Sequence, residues 1–478
     1  MSKPFPVDDP FLRGYYAPLH MECDAPNLPI TGEMPRELDG WLYRNGPNPQ
    51  FAPRGPYHWF SGDGMLHAFH IENSRVAYRN RWVRTPKWEL EHAEGEGLSG
   101  AFGNPRYTDP RVMKLNSTLA NTNVVWHGQR LLALEEAHAP FEVDPETLAA
   151  RGSLDFGGKL KGPMTAHPKL DPDNGEMVFF GYSATGRFSP QVNLHVADRQ
   201  GKLLRSEQIE APYSSMVHDF VVSRDWIILP IFPLTGSMDR AMKGAPAYAW
   251  EPEKGTHIAL IPRSGSVSDA RWFTGDPCYV FHPMNAFDTA DGKVVCDMMK
   301  YPVAPLFPGP DGQRIGKEPP VARLVRWTFD PSSNTDTYTE QALDDHPGEF
   351  PRLDERFTGL PYRHGYFQVG AVTDASIGRD KRNGVAHIDL QTGRVGNWMP
   401  GAADYCGEPI FVPRNTGSAE GDGFLLSVIY RGETGCSDLA VFDASQVESG
   451  PLALAHLSHR VPAGFHGNWR DTRASASS

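Results

Sequence analysis

The chain lacks the cysteines to staple itself and the basic runs to hold a nucleic acid. Its five cysteines, Cys23, Cys278, Cys296, Cys406 and Cys436, are scattered and odd in number, with no Cys-x-x-Cys pair. That excludes a disulfide framework and points to reduced thiols in an intracellular protein. A formal net charge of −12 removes the cationic surface that phosphate backbones demand, so no nucleic-acid partner is expected. No apolar run approaches the roughly 18 residues of a membrane-spanning helix. The N-terminal stretch MSKPFPVDDPFLRGYYAP has no signal-peptide core. The expectation is a cytoplasmic protein, a monomer or a small homo-oligomer. Peripheral membrane contact needs only a small apolar patch and stays open, with 231–250 as its candidate segment and a helical lid as the competing reading.

Catalytic signatures are missing too. There is no His-Glu-x-x-His, no P-loop and no Gly-x-Ser-x-Gly elbow. GEGLSG at 95–100 satisfies a dinucleotide-binding pattern, but no strand–helix unit surrounds it, so it reads as a loop. DPDNGE at 171–176 has part of a calcium loop without the remaining ligand spacing and reads as a hairpin turn. No nucleotide or organic cofactor is expected.

What is present is a dense alternation of short strands and turns. With 47 glycines and 43 prolines, little room is left for long helices. Between them lie MLHAFHI, NVVWHG, EMVFFGYS, VNLHVAD, DWIILPI, KVVCDMM, ARLVRWTFD and FLLSVIY, all strand-like in length and in β-branched and aromatic content. DPDNGE, DRQGK, DTADGK and LQTGR carry the Gly that tight hairpin turns require. An all-β chain of this length fits a propeller better than a sandwich or barrel. Segments near 231–250 and 302–320 interrupt the pattern and read as parts of a loop and short-helix cap over one face.

Of 18 histidines, most read as ordinary polar side chains: His58, His67, His70, His127, His195, His387, His456 and His459 belong there. Four differ in context. His167 (TAHP), His218 (MVHDF), His282 (VFHPMN) and His466 (GFHGNW) each sit at or beside a strand end, next to Pro, Asp or Gly. Propeller blades turn their inner strands toward one channel, where distant imidazoles can converge on iron or another borderline metal. Metal-bound imidazoles hand their other N–H to a carboxylate. Glu136, Glu349 and Glu408 lie beside strands and are the candidates.

Taken with YRNGPNP, FSGDGMLHAF, ANTNVV, AHPKLDP, EFPRLD, EPIFVPR and EGDGFLLSVIY, these motifs make the chain resemble, over nearly its whole length, the carotenoid cleavage oxygenases. That family includes stilbene- and phenylpropene-cleaving members. The resemblance implies a single seven-bladed propeller domain and one Fe(II) held by His167, His218, His282 and His466. It implies Glu136, Glu349 and Glu408 paired with His218, His282 and His466, and His167 without a glutamate. Thr122 would crowd a vacant coordination position. O2 would then split a conjugated double bond of a hydrophobic or aromatic alkene into two carbonyls.

At the positions where phenol-cleaving members carry a tyrosine and a lysine, local alignment puts Phe102 and Glu135. That departure favours an apocarotenoid, held by walls that include Phe60, Phe102 and Phe307, with Trp59, Phe232 and Trp272 as further candidates. A phenolic stilbene or vinylphenol is the alternative, with Glu135 accepting from a neutral phenol. A propeller serving only as an interaction platform is the non-enzyme alternative.

Overall fold

The punctuated runs pair into hairpins at the turns named above. Gly175, Gly201, Gly292 and Gly393 all have φ between +71° and +81°, a backbone that only glycine adopts without strain. The computed structural model describes residues 3–100, 102, 104–374 and 379–473. Among these, seven sheets of four to six strands and one two-stranded hairpin make up the β-structure, the blades of a seven-bladed β-propeller. The longest described helix is Pro86–Glu94, and no helix is long and apolar enough to cross a membrane. None of the five cysteines is paired in a disulfide among the described residues.

Contacts divide the chain into two compact units. One holds residues 1–154, 383–387 and 395–478; the other holds 155–382 and 388–394. In the first unit the two ends of the chain interlock. Gly467–Asp471 adds to the strand Gly40–Pro47, with Asn468 opposite Tyr43. Ile30–Gly32 adds to Ala453–His456. Alternate residues Phe424, Leu426 and Val428 of Gly423–Arg431 join Leu439 and Val441 in one core with Leu42, Phe69 and Ile71, the period-2 burial of a sheet face. Burying each such side chain contributes about 1.5–3 kcal/mol.

In the second unit, 231–250 forms a small hairpin, Leu234–Gly236 against Tyr248–Trp250, around the helix Met238–Met242. Trp250 N donates to Pro308 O at 2.9 Å, and the Phe307 ring meets Tyr248 edge-on at 6.3 Å. The two interrupting segments therefore pack on each other. Met238 and Met242 are exposed on that helix.

Candidate metal centre

Sheet order explains why residues so distant in sequence share one chemistry. The four histidines, Thr122 and Glu349 each lie on, or just before, the end strand of a sheet. Thr122 precedes Asn123–His127, His167 precedes Lys169–Leu170, and His218 precedes Val221–Val222. His282 lies in Tyr279–Asp288, Glu349 in Gly348–Leu353, and His466 precedes Gly467–Asp471. The four histidines are buried, and one nitrogen from each falls within 4.8 Å of the others.

Within the second unit the arrangement is tight. His218 Nε2 lies 3.1 Å from His167 Nε2 and 3.1 Å from His282 Nε2. Nitrogens held at right angles on one metal at roughly 2.1 Å would lie about 3 Å apart, so the spacing fits ligation of a single ion. An all-imidazole donor set suits iron and its borderline neighbours over calcium or magnesium, which take oxygen.

Backbone irregularities aim these side chains. The register of Tyr279–Asp288 slips between Val280 and Pro283, around His282, and a bulge re-aims a side chain out of the pleat. Gly348–Leu353 slips after Glu349, where Phe350 adopts φ +49°, uncommon for a bulky residue. Both irregularities serve one contact: His282 Nδ1 meets Glu349 Oε2 at 2.5 Å. Phe350 N donates to the same oxygen, and the Phe350 ring stacks on His282 at 4.9 Å. Glu349 is fully buried, so this hydrogen bond fixes the imidazole's tautomer and leaves Nε2 for a metal.

In the first unit Glu408 does the same for His466. Its Oε1 lies 2.9 Å from His466 Nδ1, and its Oε2 accepts from Gly467 N at 2.8 Å. A Cβ on Gly467 would strike Tyr43 O at 2.5 Å, so only glycine allows this approach. His466 N donates to Thr122 O at 3.1 Å. The Thr122 hydroxyl donates to Asn121 Oδ1 at 3.0 Å, which sets the direction of its methyl group. Glu136 is half-buried, two residues beyond the strand Arg130–Leu134.

One charged neighbour was not singled out from sequence. Asp219 Oδ2 lies 3.6 Å from His167 Nδ1, and Lys169 Nζ lies 2.7 Å from Asp219 Oδ1. Burial pushes the Asp219 carboxyl up, opposed by the Lys169 charge. His167 thus has a buried aspartate at its Nδ1 edge, beyond hydrogen-bond length. The signal was present in the Asp of MVHDF and the Lys of AHPKLDP.

The expected aromatic walls belong to both units. Phe60 and Phe102 meet edge to face at 5.6 Å, and Phe60 meets Phe465 at 5.5 Å. Trp59 packs on Phe465 at 4.4 Å. This wall therefore abuts the residue preceding His466. Phe232 is buried beside Tyr279 at 5.5 Å. Trp272 lies on Arg271–Gly275, the strand at the far edge of its sheet from Val221–Val222, which puts it at the opposite edge from His218.

Glu135 accepts from His138, from Ala137 N at 3.2 Å and from the Thr118 side chain. Burial raises its carboxyl, but the His138 charge and these hydrogen bonds outweigh that and hold it below the ordinary range.

The family model described as retinal pigment epithelial membrane protein matches residues 16–471. The isoeugenol monooxygenase of Pseudomonas nitroreducens is 36% identical over 97% of this chain and 98% of its own length. The solved lignostilbene dioxygenase of Pseudomonas brassicacearum superposes with a TM-score of 0.94 at 36% identity, covering 98% of this chain and 100% of that one. A variant of Synechocystis apocarotenoid oxygenase superposes with a TM-score of 0.84 at 31% identity, covering 97% and 98%.

Proposed function

This chain belongs to the carotenoid cleavage oxygenase family, and on that premise we propose that it uses Fe(II) and O2 to split the side-chain double bond of a phenolic alkene, a stilbene or vinylphenol, into two carbonyl products. The observation that carries the phenolic choice is the tighter superposition on a lignostilbene dioxygenase than on an apocarotenoid oxygenase. All seven blades act as one domain in this reading.

His167, His218, His282 and His466 would hold the iron, which when bound supplies the activation of O2. The protein's residues do the rest. Glu349 and Glu408 hold the Nδ1 protons of His282 and His466 and keep their Nε2 atoms turned inward. Glu136 is carried as the partner of His218 by the resemblance alone. The Thr122 methyl narrows the approach to the iron. Phe60, Phe102 and Phe465 would flank the substrate and exclude water. The alkene supplies the electrons, so no organic cofactor is needed. Five scattered cysteines outside any disulfide support a reducing, cytoplasmic setting, and exposed Met238 and Met242 are the patch a peripheral membrane contact would use.

An apocarotenoid remains the second reading, favoured by Phe102 and by the ionised, fully engaged Glu135, which offers a phenolate no positive partner. Iron-loaded protein is incubated with 4-hydroxystilbene, 4-vinylphenol and an apocarotenal, and the aldehydes are identified by mass. The expected result is cleavage of the phenolic alkenes. Turnover of the apocarotenal alone would overturn the choice.

A further inference from the structure

At the edge of one sheet in the first unit, three side chains line up in an order that the metal chemistry does not use. Thr31 lies on Ile30–Gly32, the end strand of a six-stranded sheet. His456 and Asp438 lie on the next two strands, Ala453–His456 and Cys436–Asp443. Thr31 Oγ1 and His456 Nε2 are 2.8 Å apart, and His456 Nδ1 is 2.8 Å from Asp438 Oδ1. Asp438 is buried, and its Oδ2 accepts from Arg431 Nε at 2.6 Å.

A carboxylate only accepts, so the single proton of a neutral His456 ring sits on Nδ1, and Nε2 accepts from the Thr31 hydroxyl. Hydroxyl, imidazole and carboxylate thus stand in the order that activates an oxygen nucleophile. From sequence His456 reads as an ordinary polar side chain, because its two partners come from other strands.

The surroundings suit an acyl group. Thr31 is exposed and His456 is half-buried. Ala453 and Ala455 are buried, whereas Leu452 is 41% exposed and Leu454 is half-buried. Side chains alternate along a strand, so Leu452, Leu454 and His456 share the outer face with Thr31, which pairs with Leu454. They form a shallow apolar floor beside the hydroxyl. Glu33 N donates to Leu452 O and His456 N to Pro29 O, both at 2.9 Å. Antiparallel ladder bonds fall on alternate residues, so the Gly32 N–H turns toward the open edge, one residue after Thr31. That N–H is a donor for a carbonyl oxygen as charge builds on it, and Gly32 has no side chain to cover it.

We infer that Thr31 is the nucleophile of an acyl-transfer site, with His456 as its general base, that takes small carboxylic esters of apolar alcohols. Thr31 Oγ1 bonds to the ester carbonyl carbon while its proton passes to His456 Nε2. The bond to the alcohol oxygen then breaks, and His456 returns the proton to that oxygen. Water repeats the sequence on the acyl-threonine, releasing the carboxylic acid and restoring the hydroxyl. Asp438 holds Nδ1 and so keeps Nε2 turned to Thr31. The site uses none of the groups of the candidate metal centre and stands apart from the alkene reading.

The probe is 4-nitrophenyl acetate, with nitrophenol release followed by absorbance and rates referred to folded protein by circular dichroism. Thr31→Val keeps the shape of an exposed side chain and removes the hydroxyl, whereas Thr31→Ser keeps the hydroxyl. His456→Gln removes the base. Thr31→Val and His456→Gln are each expected to lower kcat/KM about 100-fold, and Thr31→Ser to stay near wild type. A rate unchanged in Thr31→Val overturns the inference, and so does a rate kept in His456→Gln. Loss in Thr31→Ser as complete as in Thr31→Val also overturns it, since the hydroxyl is then not what acts.

Discussion

His195 and His282 are both buried strand histidines in the same unit, and they do opposite things. His195 lies in Gln191–Ala197, fully buried, stacked on Phe179 at 4.9 Å, with no hydrogen-bond partner for either ring nitrogen among the described residues. His282 sits at a register slip, with a buried glutamate on Nδ1 and another imidazole 3.1 Å from Nε2. Burial is common to both. What separates them is a register slip at the ring's own position and a carboxylate that fixes its proton. Gln191–Ala197 slips only past His195, between Val196 and Ala197, so His195 stays in the pleat as an aromatic filler, and the strand broken at His282 hands that ring to the candidate metal centre.

The strongest break of that comparison is metal content. His282→Ala is expected to abolish stoichiometric iron binding, and with it alkene cleavage, whereas His195→Phe keeps both. Elemental analysis of the two purified variants decides it; iron retained at full stoichiometry in His282→Ala would remove this residue from the centre. Next comes the carboxylate alone. Glu349→Gln preserves volume but not the charge that orients His282, and it is expected to lower iron affinity by about 10- to 100-fold. A chelator competition that gives the wild-type constant would show that Glu349 only fills space.

Much of this contrast could be read from sequence, for a physical reason. Strand and turn signals are local, so DRQGK did become the turn between Gln191–Ala197 and Leu203–Glu210, and DTADGK the one between Tyr279–Asp288 and Val294–Tyr301. Pro283, which cannot complete a ladder, marked the broken strand beside His282, while VNLHVAD shows no such mark. The joining of Gly467–Asp471 to Gly40–Pro47 depends on contacts between opposite chain ends, and no local pattern reports those. Asp219 was overlooked because an acid next to a ligand reads as a strand-end residue until its side chain is seen beside a different histidine. The aromatic wall was half legible: Phe60 and Phe102 carry hydrophobic identity, but their meeting with Phe465 joins opposite ends of the chain, which no local pattern reports.

A third effect belongs to His195 and depends on pH. Burial holds its imidazole at about 4, below the ordinary value near 6.5, so the unfolded chain takes up a proton first. The contribution to stability is full above pH 6.5 and declines as pH falls toward 4, by about 2 kcal/mol at pH 5. His195→Phe removes this proton linkage, so its urea midpoint is expected to fall less than that of wild type between pH 7 and pH 5. Equal declines in the two proteins would mean that His195 is protonated in the folded state.

The smallest effect is expected at the third kind of histidine environment, His167, whose carboxylate neighbour stands off at 3.6 Å and is shared with Lys169. A longer contact orients the ring less, so Asp219→Asn is expected to weaken iron binding by less than the tenfold lower bound for Glu349→Gln. Its cost to folding can be larger than its cost to binding, because Lys169 is mostly buried and loses its counter-charge. Removing both partners in Asp219→Asn with Lys169→Met separates the two terms. Thermal stability is expected to recover in the double variant while iron affinity stays at the single-variant value. If affinity recovers together with stability, the aspartate acts on the metal centre only through the fold around it, and His167 stands closer to His195 than to His282.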